Sequence, residues 1–284
     1  MLLKIEIMKN SEELKQLVKD KYSEIAMQSK TENETSCCGA GGCCTVDYAV
    51  FAEDYTKLGG YNADADLGLG CGIPTEFAQI KEGDTVLDLG SGAGNDCFVA
   101  RALTGEKGKV IGVDMTEVMI AKARENSEKL NFNNVEFRLG DIESLPIGGN
   151  RIDVVISNCV LNLVPDKEKA FAEIYRVLKA GGHFSVSDVV LKGDLPTNLK
   201  NDAEMYAGCV SGAIQLNDYM NIIHNSGFTE ISIQKEKSIV LPNEILSKYL
   251  SKNEMEAYQK GKFGIFSVTV YSQKPCCDPK SGCC

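Results

Sequence analysis

Histidine is almost missing from this sequence: His183 and His224 are the two in 284 residues. Stripping a proton from an ordinary oxygen or nitrogen acceptor needs a positioned base, and histidine is the commonest. With His183 in the turn before a fifth predicted strand and His224 on a predicted helix, both read as structural or surface residues. Long apolar runs are missing too. No segment approaches the roughly 18 uninterrupted apolar residues of a membrane span, and the opening MLLKIEIMKNSEELK has no long apolar region after a basic start. The expected location is therefore the cytoplasm. Positive charge is in short supply: 30 lysines and arginines face 40 acidic residues, a formal net charge of −10. That balance repels phosphate backbones and anionic lipid, so neither nucleic acid nor membrane is an expected partner.

A hydrophobic share of 43% and a charged share of 25% are those of an ordinary folded protein long enough to bury a core. Cysteine is the surplus. Twelve are present, and a reducing compartment disfavours a disulfide framework, so they read as working thiols. Eight form vicinal pairs: Cys37 with Cys38, Cys43 with Cys44, Cys276 with Cys277 and Cys283 with Cys284. Cys71, Cys97, Cys159 and Cys209 stand alone.

Leu14, Val18, Tyr22 and Ile25 recur at helical spacing, with Asn10 and Glu13 set like a capping box, predicting an amphipathic helix over 10–26. The glycine-rich TENETSCCGAGGCCT that follows reads as a cysteine-bearing loop. From Lys81 the strand-like runs TVLDLG, KVIGVD, VEFRLGD, IDVVISNCVL and HFSVSDVV alternate with helical stretches such as 116–130 and 166–179, the latter ended by AGG. This alternation predicts a doubly wound α/β domain with a mostly parallel sheet. The later runs EISIQKEKSIVL and GIFSVTVYSQK either finish that sheet, with an antiparallel strand at its edge, or form a small appended α/β unit. The expected division is 1–70 for a helix and cysteine-rich loop, 71–235 for the main domain and 236–284 for a C-terminal region whose cysteine-rich tail has nothing to anchor it.

VLDLGSGAGND runs from strand into tight turn into helix, where glycine lets the backbone approach a ligand and the helix start offers free N–H groups. The spacing Gly90-x-Gly92-x-Gly94 departs from the G-x-G-x-x-G of dinucleotide folds. Asp114, at the end of the second strand, is placed to take ribose hydroxyls. Asp141, after the third, is placed to meet an adenine amine, and Asp88 adds negative charge beside the glycine loop. A ligand with a ribose, an adenine, an amino group and a positive sulfonium suits this set. DLGSGAG, GVD, GDIE and GGHF, in order over 81–190, resemble class I S-adenosylmethionine-dependent methyltransferases. The resemblance implies a seven-stranded Rossmann-like sheet and cofactor contacts from Asp88, Gly90, Ser91, Gly92, Gly94, Asp114, Met115, Asp141, Ile142 and Asn158.

An acceptor with its own lone pair needs no base. Trivalent arsenic is one: it prefers thiolates and keeps a lone pair after three sulfurs bind. Cys71 in GLGCGIP, Cys159 after the fourth strand and Cys209 in YAGCVSGA sit where loops or strand ends form a ligand crevice. LGCGIP, DLGSGAGNDC, SNCVLNLVPDK and GCVSGA together resemble arsenite methyltransferases over about 40–227. The resemblance implies that Cys159 and Cys209 hold both arsenite and methylarsenite. It makes Cys71 the third ligand and Cys44, or else Cys43, an N-terminal member that joins Cys71 in disulfide exchange. A thiol reductant, glutathione or a thioredoxin-like protein, then resets the enzyme. Cys97, at a helix start that lowers a thiol pKa, reads as packing beneath the cofactor. Two rivals remain: a methyltransferase for a quinone- or sterol-like acceptor, and a non-catalytic protein that sequesters metal through its paired cysteines.

Overall fold

The computed structural model describes residues 11–28, 53–200, 210, 212–241 and 243–276. Cys44, Cys209, both cysteine pairs of the N-terminal loop, Cys277 and the Cys283–Cys284 pair lie outside these residues, as does Asn10, the expected helix cap. Helix α1 runs Ser11–Ala26, and a short turn of helix, α2, covers Pro74–Phe77. The alternation then begins: β1 Thr85–Leu89, α3 Asn95–Thr104, β2 Lys109–Asp114, α4 Glu117–Lys129, β3 Val135–Leu139, β4 Ile152–Asn158, α5 Lys167–Val177 and β5 Leu178–Lys192. Helix α6 Leu216–Asn225, β6 Thr229–Ser238, α7 Asn243–Tyr249, α8 Lys252–Gln259 and β7 Gly264–Gln273 complete it.

The seven strands form one sheet in the order β3-β2-β1-β4-β5-β7-β6. The first five pair in parallel, and β7 runs antiparallel to both β5 and β6. Both final strands therefore enter the main sheet, and the antiparallel one lies a place in from the edge. β6 takes the edge with a solvated pattern, TEISIQKEKS, whose charges discourage further pairing.

Strand period decides the layers. β1 sends Val86 into one core and Leu87 and Leu89 into the other, because successive side chains point to opposite faces. A strand apolar on both sides needs cover on both sides. One core gathers Ile25 and Ala26 of α1, Phe98 of α3 and Met119 and Ala123 of α4. The other gathers Phe171 and Ile174 of α5 with Tyr219 and Ile223 of α6. There Phe171 meets Phe184 at 5.8 Å and Tyr219 edge-on at 5.6 Å between ring centres.

Two local expectations change. Helix α5 ends at Val177 because Leu178 turns extended and starts β5, so the glycines of AGG lie inside a strand. The space there is closed by backbone: a Cβ on Gly182 would sit 2.9 Å from the Asp153 carbonyl oxygen. His183 accordingly belongs to β5 itself, bonded through Nε2 to the Ala78 carbonyl at 2.7 Å. No helix of the described residues is long and apolar enough to cross a membrane.

Candidate active site

The order β3-β2-β1-β4 places the sheet's reversal between β1 and β4, where an open α/β sheet leaves a crevice at the strand C-termini. A cleft lies there, with about 1160 Å³ of empty space that includes its open mouth. Gly90, Ser91 and Gly92 reach it from the end of β1, Asp114 and Met115 from β2, Asp141 and Ile142 from β3, and Asn158 and Cys159 from β4. Asp88 lines it from within β1.

The glycine turn is tight for definite reasons. Gly90 has φ +68°, and a Cβ on it would fall 2.4 Å from a Val160 methyl. Gly94 has φ +100°, and its Cβ would meet the Phe98 and Phe137 rings at 2.9 Å. Gly94 thus starts α3 and packs beneath the turn, without itself lining the cleft. Asp114 braces the turn from below: Oδ2 accepts the Gly92 N–H at 3.0 Å and Oδ1 the Thr116 N–H at 2.9 Å.

Several cleft residues gave no sequence signal strong enough to be named. Asp66, Asp96, Tyr55, Asn95 and Lys15 all line it. Asp96 Oδ1 accepts the Tyr55 hydroxyl at 2.8 Å, and Oδ2 accepts Asn158 Nδ2 at 3.1 Å. The acidic residue in GNDC was a cue, since α3 turns its second position toward the glycine loop. Asp66 is buried and anchored by the Gly68 N–H at 3.0 Å.

Carboxylates dominate the electrostatics. Among the described residues that line the cleft, Lys15 is the one lysine or arginine, against Asp66, Asp88, Asp96, Asp114 and Asp141. Burial, with Asp96 beside it, pushes the Asp88 carboxyl well up. Burial raises Asp96 to about 6, opposed by its hydrogen bonds from Asn158 and Tyr55. Burial raises Asp114 as well, against the backbone N–H groups it accepts. Crowded carboxyls of this kind favour a cationic ligand. Polar atoms awaiting a partner point the same way: Ser91 Oγ and Asn95 Oδ1 are buried without a hydrogen bond, and α3 has no side-chain cap on its first N–H groups. These donors and acceptors fit the sulfonium, amino and ribose groups of S-adenosylmethionine.

Cys159 follows β4 in a left-handed conformation, φ +60°, with its N–H donated to the Ser187 carbonyl at 2.8 Å. A non-glycine residue held there costs of order 1 kcal/mol and marks a place where side-chain direction matters. Its side chain is buried and lines the cleft. Cys71 is also buried but lies behind the lining. Its N–H is donated to Asn158 Oδ1 at 3.0 Å, and its carbonyl accepts the Ser267 hydroxyl. Asn158 gives its amide hydrogens to Tyr55, to the Gly72 carbonyl and to Asp96. One asparagine, next to Cys159 in sequence, therefore ties the Cys71 loop to the carboxylates of the cleft.

The two thiols share a neighbour. Burial and Asp188 raise the Tyr219 phenol well up, with negative charge on Cys71 and Cys159 adding to the rise. The chain just beyond Cys209 comes to the same place: a Cβ on Gly212 would lie 1.6 Å from the Asn162 carbonyl, in the turn after Cys159. Among the described residues no three histidine, cysteine or acidic side chains converge as a metal site. Cys97 is fully buried, as a packing residue is. Burial and the Asp88 carboxyl push its thiol well up despite its place at a helix start, and it donates to Asp88 Oδ2 at 3.2 Å.

Comparison with known proteins matches the family described as "Methyltransferase domain" to residues 80–227. The chain is 40% identical over 287 residues to an arsenite methyltransferase of Halobacterium salinarum, covering 95% of this chain and 69% of that protein. It is 32% identical to an arsenite methyltransferase of Aquipseudomonas alcaligenes, covering 82% of this chain and 67% of that one. Among solved structures, CrArsM, an arsenic(III) S-adenosylmethionine methyltransferase from Chlamydomonas reinhardtii, superposes with a TM-score of 0.60. It is 36% identical, covering 71% of this chain and 66% of the other. The chain thus spans about two-thirds of the length of these relatives.

Proposed function

Because this chain belongs to the arsenite methyltransferase family, we propose that it methylates trivalent arsenic, first arsenite and then methylarsenite, on a site of cysteine thiolates. The observation that carries this reading is Cys159. A thiol in a strained left-handed conformation at the end of β4 lines the cleft that holds the glycine turn, and Asn158 beside it tethers Cys71.

The protein's own part follows from these positions. Ser91, Gly92, Asn95, Asp96 and Asp114 would hold S-adenosylmethionine, with Met115, Asp141 and Ile142 the residues that would take its base. When bound, this cofactor supplies an electrophilic methyl group to the arsenic lone pair. Cys71, Cys159 and Cys209 exchange the hydroxyls of arsenite for sulfur: three S–H protons leave with three hydroxyls as water, and three As–S bonds form. Sulfur is the softer donor and leaves more electron density on arsenic. No base is needed at this centre, which suits a chain with two histidines. Cys159 and Cys209 retain methylarsenite. Giving its lone pair to the methyl group would leave arsenic pentavalent; the Cys44 thiolate then attacks the Cys71 sulfur, the S–S bond forms as the As–S bond to Cys71 breaks, and that bond's electron pair returns arsenic to the trivalent state. Glutathione or a thioredoxin-like dithiol reduces that disulfide by exchange.

Incubation with S-adenosylmethionine, a thiol and arsenite, followed by arsenic speciation, tests the reading. Methylarsenite should appear, and a chain that binds arsenite yet yields no methylated arsenic overturns it. Cys159→Ser should abolish turnover of both arsenite and methylarsenite, whereas Cys71→Ser should spare methylarsenite. Equal loss of both substrates in the two variants refutes this division of labour.

A further inference from the structure

Helix α1 has no role in the reaction as described, yet one of its faces belongs to the cleft. Lys15, Val18 and Tyr22, spaced three and four residues apart, all line it. The helix is pinned there: Lys19 pairs with Glu117 at 2.9 Å, Lys122 Nζ donates to the Ala26 carbonyl at 3.0 Å, and Ile25 and Ala26 are buried. A solvated lysine would be exposed. Lys15 keeps only 15% of its side-chain surface and donates to both Asp141 Oδ2, at 2.7 Å, and Glu143 Oε2, at 2.9 Å. Glu143 is itself held, its Oε1 accepting the Asp166 N–H at 3.2 Å. Asp141 Oδ1 accepts the Glu143 N–H at 2.9 Å. The Asp141 carboxylate is thus fixed from two sides and still has lone pairs to offer, since an ionised carboxylate presents about four.

We infer that Lys15 is a positioning residue of the cofactor site, orienting Asp141 so that its carboxylate reads the 6-amino group of the adenine. The inference rests on S-adenosylmethionine being the cofactor. It assigns α1 the wall at the base end of the cleft, with Val18 and Tyr22 as its apolar lining. A site built to accept an N–H discriminates strongly against an analogue that lacks one. Hypoxanthine, which carries a 6-oxo group there, sets acceptor against acceptor.

The test is calorimetric binding of S-adenosylhomocysteine and of S-inosylhomocysteine, its 6-oxo counterpart, to the wild type and to Lys15→Met and Lys15→Arg. The wild type should prefer the adenine form by at least about tenfold, the worth of one charge-assisted hydrogen bond. Lys15→Met should weaken S-adenosylhomocysteine by about tenfold and the inosyl form little, so that the preference collapses. Lys15→Arg should restore it. Equal weakening of both ligands would make Lys15 mere wall, and unchanged affinities would remove it from the site; either overturns the inference while leaving the cofactor in place. Failure of the wild type to bind S-adenosylhomocysteine overturns the cofactor reading and this inference with it. Should Lys15→Met not fold, as thermal unfolding will show, Lys15→Gln carries the same comparison.

Discussion

Asp188 should make the protein less stable as pH rises from acid to neutral, and Asp188→Asn should remove that dependence. The residue is fully buried in β5, and its Oδ1 accepts its neighbour's N–H, from Val189, at 3.0 Å. Asp188 Oδ2 and the buried Tyr219 hydroxyl make no hydrogen bond of normal geometry, although the two groups interact electrostatically. Burial lifts the carboxyl to about 7, against the pull of half-buried Lys167. Folding therefore raises this pKa above its unfolded value near 4, so the native state holds the proton more tightly. Stability from this group is fully present below about pH 4 and is lost as pH climbs to about 7. The shift is worth about 4 kcal/mol in full, and about 2.5 kcal/mol falls between pH 5 and pH 8. Asparagine keeps the shape and does not titrate. Urea unfolding of both proteins at pH 5 and pH 8 should show the variant's advantage growing by that amount. A difference that stays flat across this range would mean that Asp188 is ionised throughout, and would refute the argument.

Asp96, raised by burial to about 6, should shape cofactor binding. S-adenosylmethionine affinity should fall as pH drops through 6 and the carboxylate that faces the cation protonates, and calorimetry on Asp96→Asn should show that limb missing. At Cys159 the left-handed φ of +60° favours glycine, so Cys159→Gly should melt as high as or higher than Cys159→Ala, by about 1 kcal/mol, although both lose turnover. Phe171, buried between Phe184 and Tyr219, should cost about 3–5 kcal/mol as Phe171→Ala, read from the denaturation midpoint at constant m-value.

How far the sequence carried depends on whether a residue's role is local. The glycine turn, Asp114, Asp141 and Cys159 were legible because strand ends are, and a parallel sheet places its strand ends together. Helix α1 was legible as a helix from Leu14, Val18, Tyr22 and Ile25. Its meeting with Asp141, 126 residues away from Lys15, was not, because periodicity names a face without naming what it covers. The same limit hid Tyr55, which reaches Asp96 across 41 residues. The expected helix stop at AGG failed for a related reason. Gly181 does turn left-handed, at φ +78°, but the helix has ended before it: Leu178 is already extended and paired with Ile152 of β4, and tertiary pairing outweighs a local preference.

Cys97 and Cys159 show why counting thiols does not locate chemistry. Both are buried, and both follow directly on a piece of the cleft. A helix start alone would lower the pKa of Cys97. In place, its sulfur faces the Asp88 carboxyl, and the pair is best satisfied with a proton between them. A thiol in that setting is a donor and a poor ligand for a soft ion. Cys159 has a backbone carbonyl, from Ser187, to take its own N–H and a left-handed turn that directs it to the cleft wall. What separates the two cysteines is which partner each meets. The negative charge that suits a cationic methyl donor silences the one thiol placed among those carboxylates, which leaves Cys159, at the end of β4, as the thiol that lines the cleft among the described residues and the one on which the proposed arsenic site is built.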